Sequence, residues 1–132
     1  MKILSPRVHG YLDYAYVGLF LLAPTLFGFG GLAATICYVL AIAHAGMTLM
    51  TAFPLGIVKV IPFTVHAGIE VAMVVLLLAA PFLLGFSNIP AARNFYIAAG
   101  ALLGVVWLTT DYKAAEPPRT DVAGVRHRAP VS

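Results

Sequence analysis

Residues 65–86 read VHAGIEVAMVVLLLAAPFLLGF, and residues 8–29 read VHGYLDYAYVGLFLLAPTLFGF. The two align without a gap at an offset of 57, and 11 of the 22 positions are identical. His9 falls on His66, Pro24 on Pro81, Gly28 on Gly85 and Phe29 on Phe86. Asp13 falls on Glu70, so an acid is kept while its length changes. An internal repeat of this density outranks local propensity as a guide to the fold. Each copy is long enough for one bilayer span, and a second apolar segment follows each. The chain therefore reads as all-α: a four-transmembrane-helix bundle made of two tandem two-helix repeats.

Composition agrees. The 132 residues are 61% hydrophobic and only 10% charged, with a mean hydropathy of +0.96. Soluble domains carry about 25% charged residues, so lipid is the expected solvent. No Lys, Arg, Asp or Glu occurs from Tyr14 to Val58, from Val71 to Ala92 or from Asn94 to Thr110. The first gap holds two spans and the others one each, at the ~20 apolar residues a crossing helix needs.

The expected units are a membrane domain over residues 1–112 and a polar, disordered tail over 113–132 that includes His127. Within the domain, repeat one covers about 8–50, a linker covers 51–64 and repeat two covers about 65–112. Helices are expected near 8–29, 32–50, 65–86 and 94–111, with Pro24 and Pro81 loosening or kinking the first and third. Gly28, Gly30 and Gly31 mark a tight turn. The apolar linker, bracketed by Pro54 and Pro62, is expected to be a short interfacial segment with a helical turn or two. The first span is expected to be retained, because its internal copy cannot be a signal peptide. Seven of the eight Lys and Arg residues fall on the side of the N-terminus, linker and tail, and only Arg93 falls opposite. Both termini are therefore expected in the cytoplasm.

Five ionisable side chains, His9, Asp13, His44, His66 and Glu70, lie within the apolar segments. At ~1.5 Å per residue they fall at one depth, near the same membrane face. His9–Asp13 and His66–Glu70 are each spaced i, i+4, so each acid shares a helix face with its histidine. Such residues are expensive in a membrane and face a bundle interior or a wet cavity. Three readings follow: a structural clasp between helices, a transport or proton-relay site, and a metal or haem site built from His9, His44 and His66 with a carboxylate. Imidazole suits several metals, but no HExxH or Glu-x-x-His spacing is present, and no cofactor is expected. The lone Cys37 excludes an internal disulfide and reads as a buried apolar side chain. Tyr11, Tyr14 and Tyr16 read as an aromatic belt, with Trp107 and Tyr112 at the same interface. No nucleophile–base set and no phosphate loop is visible. The net charge of +3 is explained by helix flanks rather than by a nucleic-acid surface.

The stretches RVHGYLDY (7–14), LLAPTLFGF (21–29), VIPFTVHAGIE (60–70) and LLAAPFLLGF (77–86) resemble the SPW-repeat family of small bacterial membrane proteins. The resemblance covers about residues 5–112. Where that family carries Ser-Pro-Trp, this chain has Ala-Pro-Thr (23–25) and Ala-Pro-Phe (80–82) and keeps only the proline. The resemblance implies tandem two-helix units in the bacterial inner membrane and brings no established activity. The expected function is therefore non-enzymatic, a structural or accessory role. A small transporter or proton- or metal-handling protein is the alternative, and a haem-binding membrane protein the weaker one. The lipid bilayer is the expected partner, with Gly- and Ala-rich faces suited to a homo-oligomer or a larger membrane complex.

Overall fold

A computed structural model describes residues 2–115; the predicted tail beyond Ala115, with His127, lies outside the described residues. Four long helices dominate: α1 (Pro6–Phe27), α2 (Gly31–Leu49), α3 (Phe63–Leu83) and α4 (Pro90–Thr109). Each is long and apolar enough to cross a membrane. At 1.5 Å per residue, the 22 residues of α1 span about 33 Å. The outward faces are lined by Leu22, Ile42, Val75, Leu83 and Val105, all well exposed, which is what a lipid solvent tolerates and water does not. The protein is a multi-pass membrane protein.

Local chemistry sets the helix ends. Ser5 caps α1 by accepting from the Val8 N–H, and Pro6 sits in the first turn, where a missing N–H costs nothing. Gly28 and Gly85, equivalent in the repeat, take φ of 71° and 80° just past α1 and α3, a left-handed conformation that glycine adopts without penalty. The helices run through Pro24 and Pro81. The second connection begins its helix at Pro90, earlier than the Asn94 expected, so the loop between α3 and α4 is only residues 84–89.

α1 packs on α2 and α3 on α4, and the two hairpins then meet along α1–α4 and α2–α3. Small residues such as Ala23, Ala33, Ala41, Ala80, Ala92 and Ala99 fill the close contacts. Tyr96 donates to the Ala33 carbonyl at 2.7 Å and Tyr16 to the Ala99 carbonyl at 2.8 Å. Tyr16 is therefore a core residue and not part of the expected aromatic belt, because its hydroxyl finds a helix carbonyl inside the bundle.

The linker also departs from expectation. Its last two residues, Phe63 and Thr64, already belong to α3, and residues 51–62 contain no helix. Thr51–Ala52 (β1) pairs in parallel with Ile61–Pro62 (β2), and Leu4 forms an equivalent parallel bridge with Thr110. Leu4 and Ile61 are 57 residues apart. The segment leading into each copy thus docks on the exit of the other copy's hairpin, by Leu4 N–H to Thr109 O and Ile61 N–H to Met50 O, both 2.9 Å. Backbone groups freed at the helix ends find partners this way, which an isolated interfacial turn would not supply. The chain's lead, its linker and the end of α4 consequently lie at one end of the bundle. At the junction with the expected tail, Tyr112–Ala115 forms a 3-10 helix.

Candidate metal centre

All five predicted polar residues meet at that end, between the two repeats. His9, Asp13, His66 and Glu70 are essentially without exposure, and His44 is 2% exposed. Both i, i+4 pairs form: His9 Nε2 lies 3.2 Å from Asp13 Oδ1, and His66 Nε2 lies 3.4 Å from Glu70 Oε1. The repeats also cross. His9 Nε2 is 3.1 Å from Glu70 Oε1, and His66 Nε2 is 3.3 Å from Asp13 Oδ2. His44 joins from α2, with its Nε2 3.3 Å from Asp13 Oδ1.

The histidine tautomers follow from the threonines behind them. Thr51 Oγ1 gives its single proton to the Met47 carbonyl at 2.6 Å, and Thr110 Oγ1 gives its proton to the Val106 carbonyl at 2.7 Å. Each hydroxyl can then only accept from the imidazole beside it. His66 Nδ1 lies 2.8 Å from Thr51 Oγ1, and His9 Nδ1 lies 2.8 Å from Thr110 Oγ1. Both Nδ1 atoms therefore carry protons, and both rings turn Nε2 toward the two carboxylates. Pinning one ring nitrogen so that the other is presented inward is how metal-binding histidines are oriented.

Two lone pairs aimed at two carboxylates repel unless positive charge lies between them. A proton on His66 Nε2 would be poorly served, because that atom has no aligned hydrogen-bond partner despite its short distances to Asp13 and Glu70. A central ion has no such directional demand. One atom from each of His9, Asp13, His66 and Glu70 can be chosen so that all lie within 4.8 Å of one another. A tetrahedral ion with bonds of about 2.0–2.1 Å has ligand–ligand edges of about 3.3 Å. The four His–carboxylate distances run from 3.1 to 3.4 Å. Asp13 meets His9 through Oδ1 and His66 through Oδ2, so a small side-chain rotation separates a bridging from a single-oxygen arrangement. The donor set is nitrogen and oxygen without thiolate, which suits first-row divalent ions. A dipositive ion also balances two carboxylates. The spacing leaves no room for a porphyrin.

Four contributors were not recognised from sequence: Thr51, Thr110, Thr48 and Tyr112. Thr48 Oγ1 lies 3.4 Å from Asp13 Oδ2. The Tyr112 hydroxyl donates to Glu70 Oε2, so this residue belongs to the centre and not to an interfacial belt. Burial and the negative charge of Glu70 raise its phenol above the usual range. Around the centre, Phe63 packs edge-on against His9 and His66, and Phe53 stacks on Phe63. These rings exclude water from the ligand atoms. The repeat-motif residues Pro24, Gly28, Pro81 and Gly85 sit at the other end of the bundle and touch none of this. Cys37 is buried there in the apolar core.

The missed signal lies in the second halves of the repeats. Residues 31–53 align with 90–112 at an offset of 59, not 57, placing Thr51 on Thr110, Met47 on Val106 and Phe53 on Tyr112, and the two threonines make equivalent bonds to Met47 and Val106. Compared with protein-family models, curated proteins and solved structures, the chain matches none.

Proposed function

We propose that this chain is a non-enzymatic membrane protein that holds one first-row divalent metal ion between its two repeats. His9 and His66 are the nitrogen ligands, and Asp13 and Glu70 the oxygen ligands. The observation that carries the reading is the pair of threonine-pinned imidazoles, both with Nε2 turned onto buried carboxylates. Two buried carboxylates left uncompensated would cost several kcal/mol each, and an ion removes that cost. Because the ligands come equally from both copies, the ion also clasps the hairpins together. This joins the metal-handling and structural readings of the sequence in one site.

The rest of the reading is in keeping with the sequence. The resemblance to the SPW-repeat family, whose proline is kept at the equivalent, buried Pro24 and Pro81, is what supports a bacterial inner membrane. The excess of Lys and Arg on the linker side supports cytoplasmic termini, which reporter fusions at residues 1 and 132 test directly.

Equilibrium dialysis of chelator-treated protein in detergent against Zn²⁺, Mn²⁺ or Co²⁺ tests the metal reading. One ion per chain is expected in the wild type and none in His9→Ala/His66→Ala. If the wild type takes up no ion while Asp13→Asn/Glu70→Gln only lowers thermal stability, the centre is a clasp of imidazolium and carboxylate groups without a metal.

A further inference from the structure

The internal repeat generates two equivalent grooves between the hairpins, and they are not alike. One lies between α1 and α4 and has a volume of about 140 Å³; the other lies between α2 and α3 and has a volume of about 360 Å³. The repeat offsets place their linings on one another. Tyr16 in the small groove corresponds to Met73 in the large one, Leu102 to Ala43 and Leu103 to His44. The small groove is narrowed. Tyr16 is pinned across it by the Ala99 carbonyl, and the two leucines narrow it further. In the large groove each of these side chains is replaced by something smaller, more flexible or polar. A duplicated fold has opened one of its two symmetry-related grooves.

His44 is the polar group at the base of the open groove. It is 2% exposed; its Nε2 lies 3.3 Å from Asp13 Oδ1 without an aligned hydrogen bond, and its Nδ1 has no hydrogen-bond partner among the described residues. A buried imidazole nitrogen without a partner is unfavourable, so a ligand that pairs with Nδ1 recovers free energy. The groove walls are otherwise apolar, and the exposed Ile69 and Leu76 at its edge put its mouth on the lipid-facing surface. Met47 and Met73 line it, and thioethers make favourable contacts with ring edges. No Lys, Arg, Asp or Glu lines it, so nothing there recognises a charged head group. His44 is five residues inside the end of α2, or about 7–8 Å by helical rise, below the level of phospholipid head groups.

We propose that this groove binds a neutral, lipid-soluble ring with a hydrogen-bonding oxygen, a ligand of the quinone class, which enters from the bilayer and meets His44. The ring lies between Met47 and Met73, its oxygen pairs with a His44 nitrogen, and its tail leaves between α2 and α3. Bound there, the ring is separated from the centre by the His44 imidazole, whose Nε2 lies 3.3 Å from Asp13 Oδ1. The proposal goes beyond the metal reading and stands without it.

The test is binding of decylubiquinone to the whole protein in detergent, by equilibrium gel filtration with quinone absorbance as the readout. It is run on chelator-treated and on metal-loaded protein, so failure of the metal reading leaves the quinone result interpretable. Saturable binding near one per chain is expected in both. Ala43→Leu/Met73→Tyr rebuilds the narrowing of the small groove, with the Leu40 carbonyl where Ala99 stands in the other copy. It should abolish saturable binding while leaving the circular dichroism and metal stoichiometry unchanged. His44→Leu should weaken binding about tenfold, the scale of one lost hydrogen bond. Decanol, which has a hydroxyl and a tail but no ring, should not compete. Equal binding by the narrowed variant, full competition by decanol, or no saturable binding by the wild type would each overturn the proposal.

Discussion

Thr110→Val removes one hydroxyl and little else. The two side chains have nearly the same shape, so packing at the end of α4 is kept. The hydroxyl accepts from His9 Nδ1 at 2.8 Å and donates to the Val106 carbonyl at 2.7 Å. Its loss leaves a buried N–H without an acceptor, at a cost of about 1–3 kcal/mol. His9 has a way to recover part of this. With Nδ1 no longer pinned, its proton can move to Nε2, where Glu70 Oε1 lies 3.1 Å away. That rescue of the metal-free protein removes the lone pair that the ion needs. Stability without metal should therefore fall only slightly, while metal affinity falls about 10–100-fold, as expected for loss of a ligand-orienting group. Affinity is measured by competition with a chromophoric chelator in detergent, and stability by the circular-dichroism melting temperature of chelator-treated protein. Thr110→Ser keeps the hydroxyl and should restore affinity. Thr51→Val should repeat the pattern through His66. If Thr110→Val stays folded and binds metal as tightly as wild type, the tautomer argument is wrong.

Four further outcomes follow from the same geometry. Gly56→Ala would bring a Cβ within 1.8 Å of the Thr51 carbonyl oxygen, so it should cost at least 1–3 kcal/mol, the usual range for overpacking, and weaken metal binding by displacing Thr51. Gly68→Ala, which meets nothing within 4 Å, should leave both melting temperature and affinity close to wild type. Metal affinity should fall as pH drops from 7.5 to 5.5, because both imidazoles must shed an Nε2 proton to bind; proton release on metal addition, measured in weakly buffered solution, checks this. Tyr112→Phe deprives Glu70 of its donor and should cost about 1.5–3 kcal/mol near neutral pH. Because the folded phenol is held above its usual range, the unfolded chain loses that proton first, so stability falls as pH rises beyond about 10. Melting temperatures from pH 8 to 11 should show a shallower alkaline fall in the Phe variant.

How much of this the sequence disclosed depends on how rare each residue type is in its setting. Ionisable groups are scarce in apolar helices, so His9, Asp13, His44, His66 and Glu70 stand out, and their common depth needs only the helical rise. Hydroxyls are not scarce there. Thr51 and Thr110 look like any threonine near a helix end, and only 3 of 23 positions are identical between residues 31–53 and 90–112. The two-residue change of offset hides the match further. Tyr16 and Tyr112 were misassigned to the interface for a related reason: a tyrosine near a helix end suits lipid head groups or a buried acceptor equally well, and only tertiary packing chooses. The linker's strand pairing was invisible because its partner, Thr51–Ala52, directly follows a helix and carries no β pattern of its own. The opened groove could not be foreseen at all, since it appears only when Met73 and Tyr16 are seen as equivalents.

The most direct test of the central claim is X-ray absorption at the zinc edge of the loaded wild-type protein. The account predicts a first shell of nitrogen and oxygen alone at about 2.0–2.1 Å, with the multiple scattering of two imidazoles, and loss of that signature in His9→Ala/His66→Ala. A shell containing sulfur, or one of oxygen without imidazole scattering, would contradict it.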